Sequence, residues 1–361
     1  MNLKPLTKAR VALVYGPGNL AVDYCAALLR GIERGLLENG AEVDTCNLAL
    51  LIGVERGVRT SQGRESTVAA GIITFLEESA VPYDICLALL HDAYLTANLQ
   101  EALRKKCHRV VNYPLNLLDQ PHLFARATEF CDETFCAEEP ALADLRHRYG
   151  ARKIRYVPLA SDPHVYWRVA TPESPRALFV GTIYADRHAL LTACAEVIPV
   201  SVFGSNFTVP AMLRATAKEL IKHRNIARAG DAALLMFRAA TRDKRMVSDE
   251  EFVRLAGEHG VSLGLSTVHQ ELTGLPLRKV RLRDYDAGMC GMCHVSARMP
   301  ELERAFSEGE EMLFYDEPEQ LLDILRKVAA GNIEWPDIGR RARLRAAADH
   351  TWTVRLRAAF A

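Results

Sequence analysis

Arg10-Val-Ala-Leu-Val-Tyr15, broken at once by Gly16-Pro-Gly18 and followed by helical spacing from Ala21 to Asn39, is the stretch on which the fold turns. A short apolar run, a glycine turn and an amphipathic segment read as strand, turn and helix. Gly40 stands where a helix C-terminal glycine belongs, and Ala41 to Leu48 reads as the next strand. A βαβ opening predicts a parallel sheet with a right-handed crossover. The pattern then repeats. Tyr83 to Leu90 predicts a strand, the segment through Leu99 to Lys106 a helix, and Arg109 to Asn112 a strand. Glu133 to Cys136, Pro140 to Tyr149 and Ile154 to Val157 add strand, helix and strand, which completes one α/β domain.

The stretch from Ser161 to Pro175 holds Pro163, Pro172 and Pro175 without periodicity, and it reads as an interdomain connection. A second strand and turn follow in Ala177-Leu-Phe-Val-Gly181, with a helix from Ala185 to Ile198 and a strand from Val200 to Gly204. A mostly helical stretch, Ala211 to Gly260, leads to a strand from Val261 to Ser266. A helix starting near Leu282 follows, then short strands at Cys293 to Ser296 and Met312 to Tyr315, a helix from Pro318 to Ala330, and an arginine-rich helix from Asp337 onward. The expected fold is α/β, with two Rossmann-like, doubly wound parallel-sheet domains facing each other across a cleft. Residues 1–165 form the first and 166–336 the second. Residues 337–361 form a C-terminal helix with the option of crossing back to the first domain.

Length and composition agree with this reading. At about 150 residues per domain, 361 residues make two domains. Lys+Arg 45 against Asp+Glu 45 leaves a net charge of +0, which removes the electrostatic footprint of a nucleic-acid binder or a polybasic membrane anchor. Hydrophobic residues at 49% and charged residues at 25% exclude a disordered chain and a disulfide-framed miniprotein. No run approaches the roughly 20 apolar residues of a membrane helix. The stretch Val11 to Tyr15 is too short for a signal-peptide core. Nine cysteines, an odd number set in apolar segments, read as buried free thiols, and a cytoplasmic location is expected.

Several local patterns admit a chemical and a purely structural reading. Gly16-Pro-Gly18 lacks the third glycine of a dinucleotide fingerprint, since Ala21 stands there, so it is either a plain turn or one that lets a ligand approach the backbone. Gly181 is similar, and its neighbours Thr182, Tyr184 and Arg187 either donate to a phosphate at a helix N-terminus or cap that helix. Leu277 to Asp286 carries Arg278, Lys279, Arg281, Arg283, Asp284 and Asp286. It reads either as an anion site, with arginine forks on phosphate, or as a solvated face with internal ion pairs. His91-Asp92 follows a strand at its carboxyl end, where an active site belongs, though a surface histidine fits too. Cys290-Gly-Met-Cys293-His294 matches the c-type haem attachment pattern, but it lies in an apolar helix-to-strand junction and buried packing is the expectation. No H-E-x-x-H or G-x-S-x-G occurs, which removes metallopeptidase and serine-hydrolase readings.

Arg283, Tyr285, Asp286, Cys290 and Gly291, then Pro300-Glu301-Leu302, Phe306, Gly309-Glu310-Glu311 and Tyr315, then His350-Thr351-Trp352 with Arg355, occur in this order. In that order and spacing the chain resembles the GT-B-fold glycosyltransferases of the spore maturation protein CgeB-like type, within the group-1 glycosyltransferases. The family block reads R-x-F-E-x-x-A-C-G, P-E-L, G-E-E and H-T-[YW]. The resemblance implies a metal-independent transfer of a sugar, with retention, from a nucleotide-diphosphate donor in the C-terminal domain to an acceptor hydroxyl. It implies no cofactor beyond the donor co-substrate.

The donor side would then comprise Gly181, Thr182, Arg187, Arg281, Arg283, Asp286 and Gly291. Arg283 would face the diphosphate, and Asp286 would accept from the ribose or the sugar. Gly16 and Gly18 would lie on the acceptor side, with His91 and Asp92 as the catalytic candidates. The acceptor could be polysaccharide, lipid, protein or small molecule. Two departures stand out: an aspartate, Asp286, replaces the family glutamate, and Arg278 occupies the place of a second glutamate in the wider superfamily. They leave room for a second reading, a catalytically silent GT-B-like protein that binds a nucleotide or glycan or serves in an assembly.

Overall fold

The computed structural model describes residues 6–15, 24–48, 61–167, 169–182, 187–204, 247–269 and 273–361. Gly16, Gly18 and Tyr184, and most of the stretch expected to be helical from Ala211, lie outside these residues. The chain divides into two compact units. The first takes Met1–Ala160, Thr267–Lys279 and Asp349–Ala361, and the second takes Ser161–Ser266 and Val280–Ala348.

In the first unit the chain order is β1 (Arg10–Tyr15), α1 (Tyr24–Glu38), β2 (Glu42–Asn47), α2 (Ser61–Glu78), β3 (Ile85–Ala88), α3 (Ala97–Lys106) and β4 (Val110–Asn112). It continues with α4 (Ala125–Phe130), β5 (Glu133–Cys136), α5 (Glu139–Tyr149) and β6 (Ile154–Tyr156). The six strands form one sheet in the order β2-β1-β3-β4-β5-β6, every pair parallel. Interior strands such as β1 and β3 are buried along their length, because helices cover both faces of a parallel sheet. At the edge, β2 alternates between exposed and half-buried residues from Glu42 to Thr45 and buries Cys46. Gly40, at φ 83°, ends α1 in the left-handed conformation that glycine adopts without penalty.

The second unit contains β7 (Arg176–Val180), α6 (Arg187–Ala195), β8 (Val200–Phe203), α7 (Asp249–His259) and β9 (Gly260–Gly264). After a departure into the first unit through β10 (Thr267–His269) and β11 (Pro276–Arg278), it resumes with α8 (Leu282–Cys290), β12 (Cys293–Ala297) and α9 (Pro300–Ala305). β13 (Leu313–Tyr315), α10 (Pro318–Ala329) and α11 (Trp335–Asp349) complete it, before α12 (Trp352–Ala359) returns to the first unit. Its five-stranded sheet has the order β13-β12-β9-β7-β8 and is parallel throughout.

The division differs from a contiguous one at 165 and 336 in three places, each with a physical reason. The proline-rich segment from Ser161 belongs to the second unit, because the Ser161 and Tyr166 side chains are buried there and the Val169 amide donates to the Cys290 carbonyl. The antiparallel pair β10–β11, not anticipated from the sequence, joins the first unit. There Lys279 is buried, its ammonium 2.8 Å from Asn116 Oδ1, 2.5 Å from Asp119 Oδ1 and 2.8 Å from Glu138 Oε1. Two hydrogen bonds and the charge of the Glu138 carboxylate compensate a cation that could not otherwise be buried.

The single helix expected from Asp337 is two. Asp349 ends α11, and Thr351 caps α12 by accepting from the Val354 amide at 3.3 Å. α12 packs on α1 where Gly35 removes any side chain, since a Cβ there would lie 2.8 Å from the Trp352 backbone. α2, also not anticipated, is weakly periodic because Gly63 and Gly71 interrupt it, yet it buries Val68, Ala69, Ile72 and Leu76.

Candidate active site

In the second unit the strand order places β8 on one side of β7 and β9 on the other, so the winding reverses between β7 and β9. Ligands in open α/β sheets bind at such a reversal, outside the carboxyl ends of the strands. The residues at this edge are Gly181 and Thr182 after β7, Leu265 and Ser266 after β9, and the first turns of α6, α7 and α8, whose helices run antiparallel to the strands they precede. The sequence-derived candidates Gly181, Thr182, Arg187, Arg281, Arg283 and Asp286 are thus all carried by segments at one edge of this unit.

Arg187 joins the two loops of the reversal. Its guanidinium is buried and donates to the Thr182 carbonyl at 2.8 Å and also to the Leu265 carbonyl, with the Phe179 ring 5.9 Å away. Gly181 donates its amide to Phe203 at 2.9 Å. Opposite it, Gly204 has φ +151°, and a Cβ there would overlap the Gly181 carbonyl, so the loops after β7 and β8 approach as backbone alone allows.

The start of α8 is fixed by Asp284, which accepts from the Arg281 amide at 2.7 Å and pairs with His294 Nε2 at 2.9 Å. Both side chains are buried beneath the helix. Gly264 leaves room for this pair, since a Cβ there would come within 2.8 Å of His294 Nε2 and 2.7 Å of Ser296 Oγ. One turn on, Arg283 and Asp286 face each other at 3.3 Å.

Arg283 also donates to the Tyr166 hydroxyl at 3.2 Å, lies 3.8 Å from Asp249 and stacks 4.3 Å from the Phe252 ring centroid. Burial disfavours its charge, but Tyr166, Asp286 and Asp249 outweigh burial and raise its pKa. Asp286 accepts from Ser161 Oγ at 2.8 Å. Burial pushes its carboxyl up to about 7, against the pull of Arg283 and the Ser161 hydroxyl.

Other expected residues have different places. Gly291 lies at the opposite end of α8 from Arg283, in the left-handed conformation at φ 83°, and its carbonyl is covered by Gly339 of α11. It ends α8 and packs against α11, at the far end of that helix from Arg283. Lys279 is held by carboxylates in the first unit and offers no anion site. Cys290 and Cys293 are fully buried and burial raises both thiols, Cys293 to about 12, so neither the haem nor the redox reading survives.

In the first unit the winding reverses between β1 and β3, and His91 and Asp92 follow β3 at its carboxyl end. Asn112 brackets the approach, accepting from the Leu90 amide at 2.8 Å and donating to its carbonyl at 3.1 Å. Asp92 accepts from the amides of Arg126 at 3.0 Å and Ala127 at 2.8 Å, which makes it the cap of α4. His91 packs edge-on against Phe124, 5.1 Å between ring centroids. Among the described residues no group of three or more His, Cys, Asp and Glu side chains could hold a metal ion, and no helix is long and apolar enough to cross a membrane.

The sequence patterns did not mark Ser161, Tyr166 or Asp249 as site residues, and His294 stood only in the cysteine pattern read as buried packing. Asp249 carried a local signal, since Ser248-Asp249-Glu250-Glu251 is a helix start, and Ser248 accepts from the Glu251 amide at 3.2 Å.

Residues 189–361 match the family described as glycosyl transferase-like. No curated protein matches the sequence. The fold is similar to that of sucrose-phosphate synthase from Thermosynechococcus elongatus, with a TM-score of 0.64 at 12% identity over 98% of each chain. It is also similar to Anabaena HepE, solved in complex with UDP-glucose, with a TM-score of 0.60 at 12% identity over 97% of this chain and 98% of that one. A third likeness is to the lipopolysaccharide outer core galactosyltransferase WaaB, with a TM-score of 0.57 at 12% identity over 96% and 98%. The two parallel-sheet units are those of the GT-B fold. Residues 189–361, 173 of the 361, thus carry a glycosyl transferase-like domain.

Proposed function

We propose that the chain transfers a sugar, with retention, from a nucleoside diphosphate sugar such as UDP-glucose to an acceptor hydroxyl, and that it is of the CgeB-like subtype. The observation that carries this reading is the Arg283–Asp286 pair on the first turns of α8, at the carboxyl edge of the second sheet. A leaving nucleoside diphosphate gains negative charge as the glycosidic bond breaks. A preorganised guanidinium and backbone N–H groups at a helix start stabilise that charge without a metal ion. Gly181, Thr182 and Arg281 belong to the same donor edge, with Arg187 holding its loops. On the acceptor side the cap made by Asp92 leaves the His91 imidazole as the better proton carrier. Buried free thiols throughout the described residues support a reducing, cytoplasmic setting.

A second reading, a silent nucleotide or glycan binder, draws on one observation: both Asp286 oxygens are already engaged within the protein, by Ser161 and by Arg283. One pair of assays separates the two. Wild-type protein with UDP-glucose and a mixed acceptor panel, with and without EDTA, is compared with Asp286→Ala. Turnover that resists EDTA and is lost in the folded variant supports the transferase. Binding without turnover, in donors of every base, supports the silent reading.

A further inference from the structure

Arg283 is held at the donor edge by several partners at once. Its partners come from three segments far apart in sequence: Tyr166 in the proline-rich stretch, Asp249 and Phe252 on α7, and Asp286 on α8. The Tyr166 hydroxyl donates its one proton to Asp249 Oδ1, which turns the oxygen lone pairs toward Arg283 Nη1. Burial and the nearby carboxylates Asp286 and Asp249 raise the Tyr166 pKa well above its ordinary value, so the phenol keeps that proton. The guanidinium plane lies over the Phe252 ring, and 21% of the side chain stays accessible. A free arginine would have to give up its rotamer freedom on meeting an anion. Here that ordering is done by the fold.

We infer that Tyr166 and Asp249 are positioning residues, which hold the Arg283 guanidinium in the orientation that meets the diphosphate of the donor. The inference rests on the reading of Arg283 as a diphosphate contact. Neither residue touches substrate; each acts through Arg283. Phe252 supplies the platform, and the hydroxyl-to-carboxylate relay sets the rotation about it.

The test measures the dissociation constants of the nucleoside diphosphate that binds wild type best, chosen from the five common bases, and of its nucleoside. Arg283→Ala, Tyr166→Phe and Asp249→Asn are compared, together with the double variant Tyr166→Phe/Arg283→Ala. Tyr166→Phe keeps the ring and Asp249→Asn keeps the shape, so both are expected to fold, as circular dichroism and melting would show. The expected result is a loss of about tenfold in diphosphate affinity for each single positioning variant. Nucleoside affinity stays unchanged, and the double variant binds no worse than Arg283→Ala alone. A merely structural role would weaken both ligands together. Loss in Arg283→Ala with wild-type affinity in both positioning variants overturns the inference and leaves the donor reading standing. No loss in Arg283→Ala, or no diphosphate bound by wild type, overturns the donor reading and the inference with it.

Discussion

Arg187 and Thr182 are joined by a 2.8 Å hydrogen bond from guanidinium to carbonyl, and the same guanidinium reaches the Leu265 carbonyl, so one side chain ties the two loops at which the second sheet reverses its winding. A charged donor on a buried carbonyl is worth roughly 1.5–3 kcal/mol, and removing it leaves the carbonyl unsatisfied. Arg187→Ala is therefore expected to lose about 3 kcal/mol, a fall of about 6–12 °C in melting temperature for a domain of this size. Arg187→Lys, which reaches one carbonyl at most, should recover part of the loss. Thermal and urea unfolding of the three proteins checks the order.

Asp286 makes stability depend on pH. Its carboxyl is raised from the ordinary value of 3.8 to about 7 in the folded protein, so between those values the folded state binds a proton that the unfolded chain releases. Stability then falls as pH rises from about 4 to about 7, by at most about 4 kcal/mol, and is level above that. Asp286→Asn should flatten this slope. Urea midpoints at pH 5, 6, 7 and 8 for both proteins measure it, and equal slopes would mean that the carboxyl ionises normally. On the proposed donor reading, UDP-glucose, which does not titrate near neutrality, should also bind wild type less well as pH rises across 7, as the Asp286 carboxylate takes up the Arg283 charge.

Gly339 lies against the Gly291 carbonyl closely enough that any Cβ would overlap it. Backbone cannot yield as a flexible side chain does, so Gly339→Ala should push α11 from the end of α8 and cost about 2–3 kcal/mol. Nucleotide affinity of the folded variant at low temperature should stay at the wild-type value, because Arg283 lies at the other end of α8. A loss of affinity without a loss of stability would place Gly291 at the donor site.

The thiols offer a direct count. Nine cysteines are present and the eight described ones, all but Cys25, are buried and free, so a thiol reagent should label no more than one per native chain and nine after denaturation. Rapid labelling of Cys290 or Cys293 would contradict their burial.

The sequence by itself determined the α/β class, the parallel sheets and the place of most strands, because a buried parallel strand is a short apolar run and its helix is a 3.6-residue period, both readable within a dozen neighbouring residues. The Gly40 helix end and the β12 junction at Cys293 were legible for the same reason. It also marked Arg283 and Asp286 as candidates within one block near the start of one helix. What those two residues face was decided only by the tertiary structure. Ser161 lies 125 positions from Asp286 and Tyr166 lies 83 from Asp249, and no local pattern encodes a contact made by crossovers of a whole domain. The same holds for Lys279, which reads as part of a basic block and is spent on Asp119 and Glu138, all three within the first unit. Charge is visible in a sequence; burial and partner, which decide what a charge can do, are properties of the folded chain.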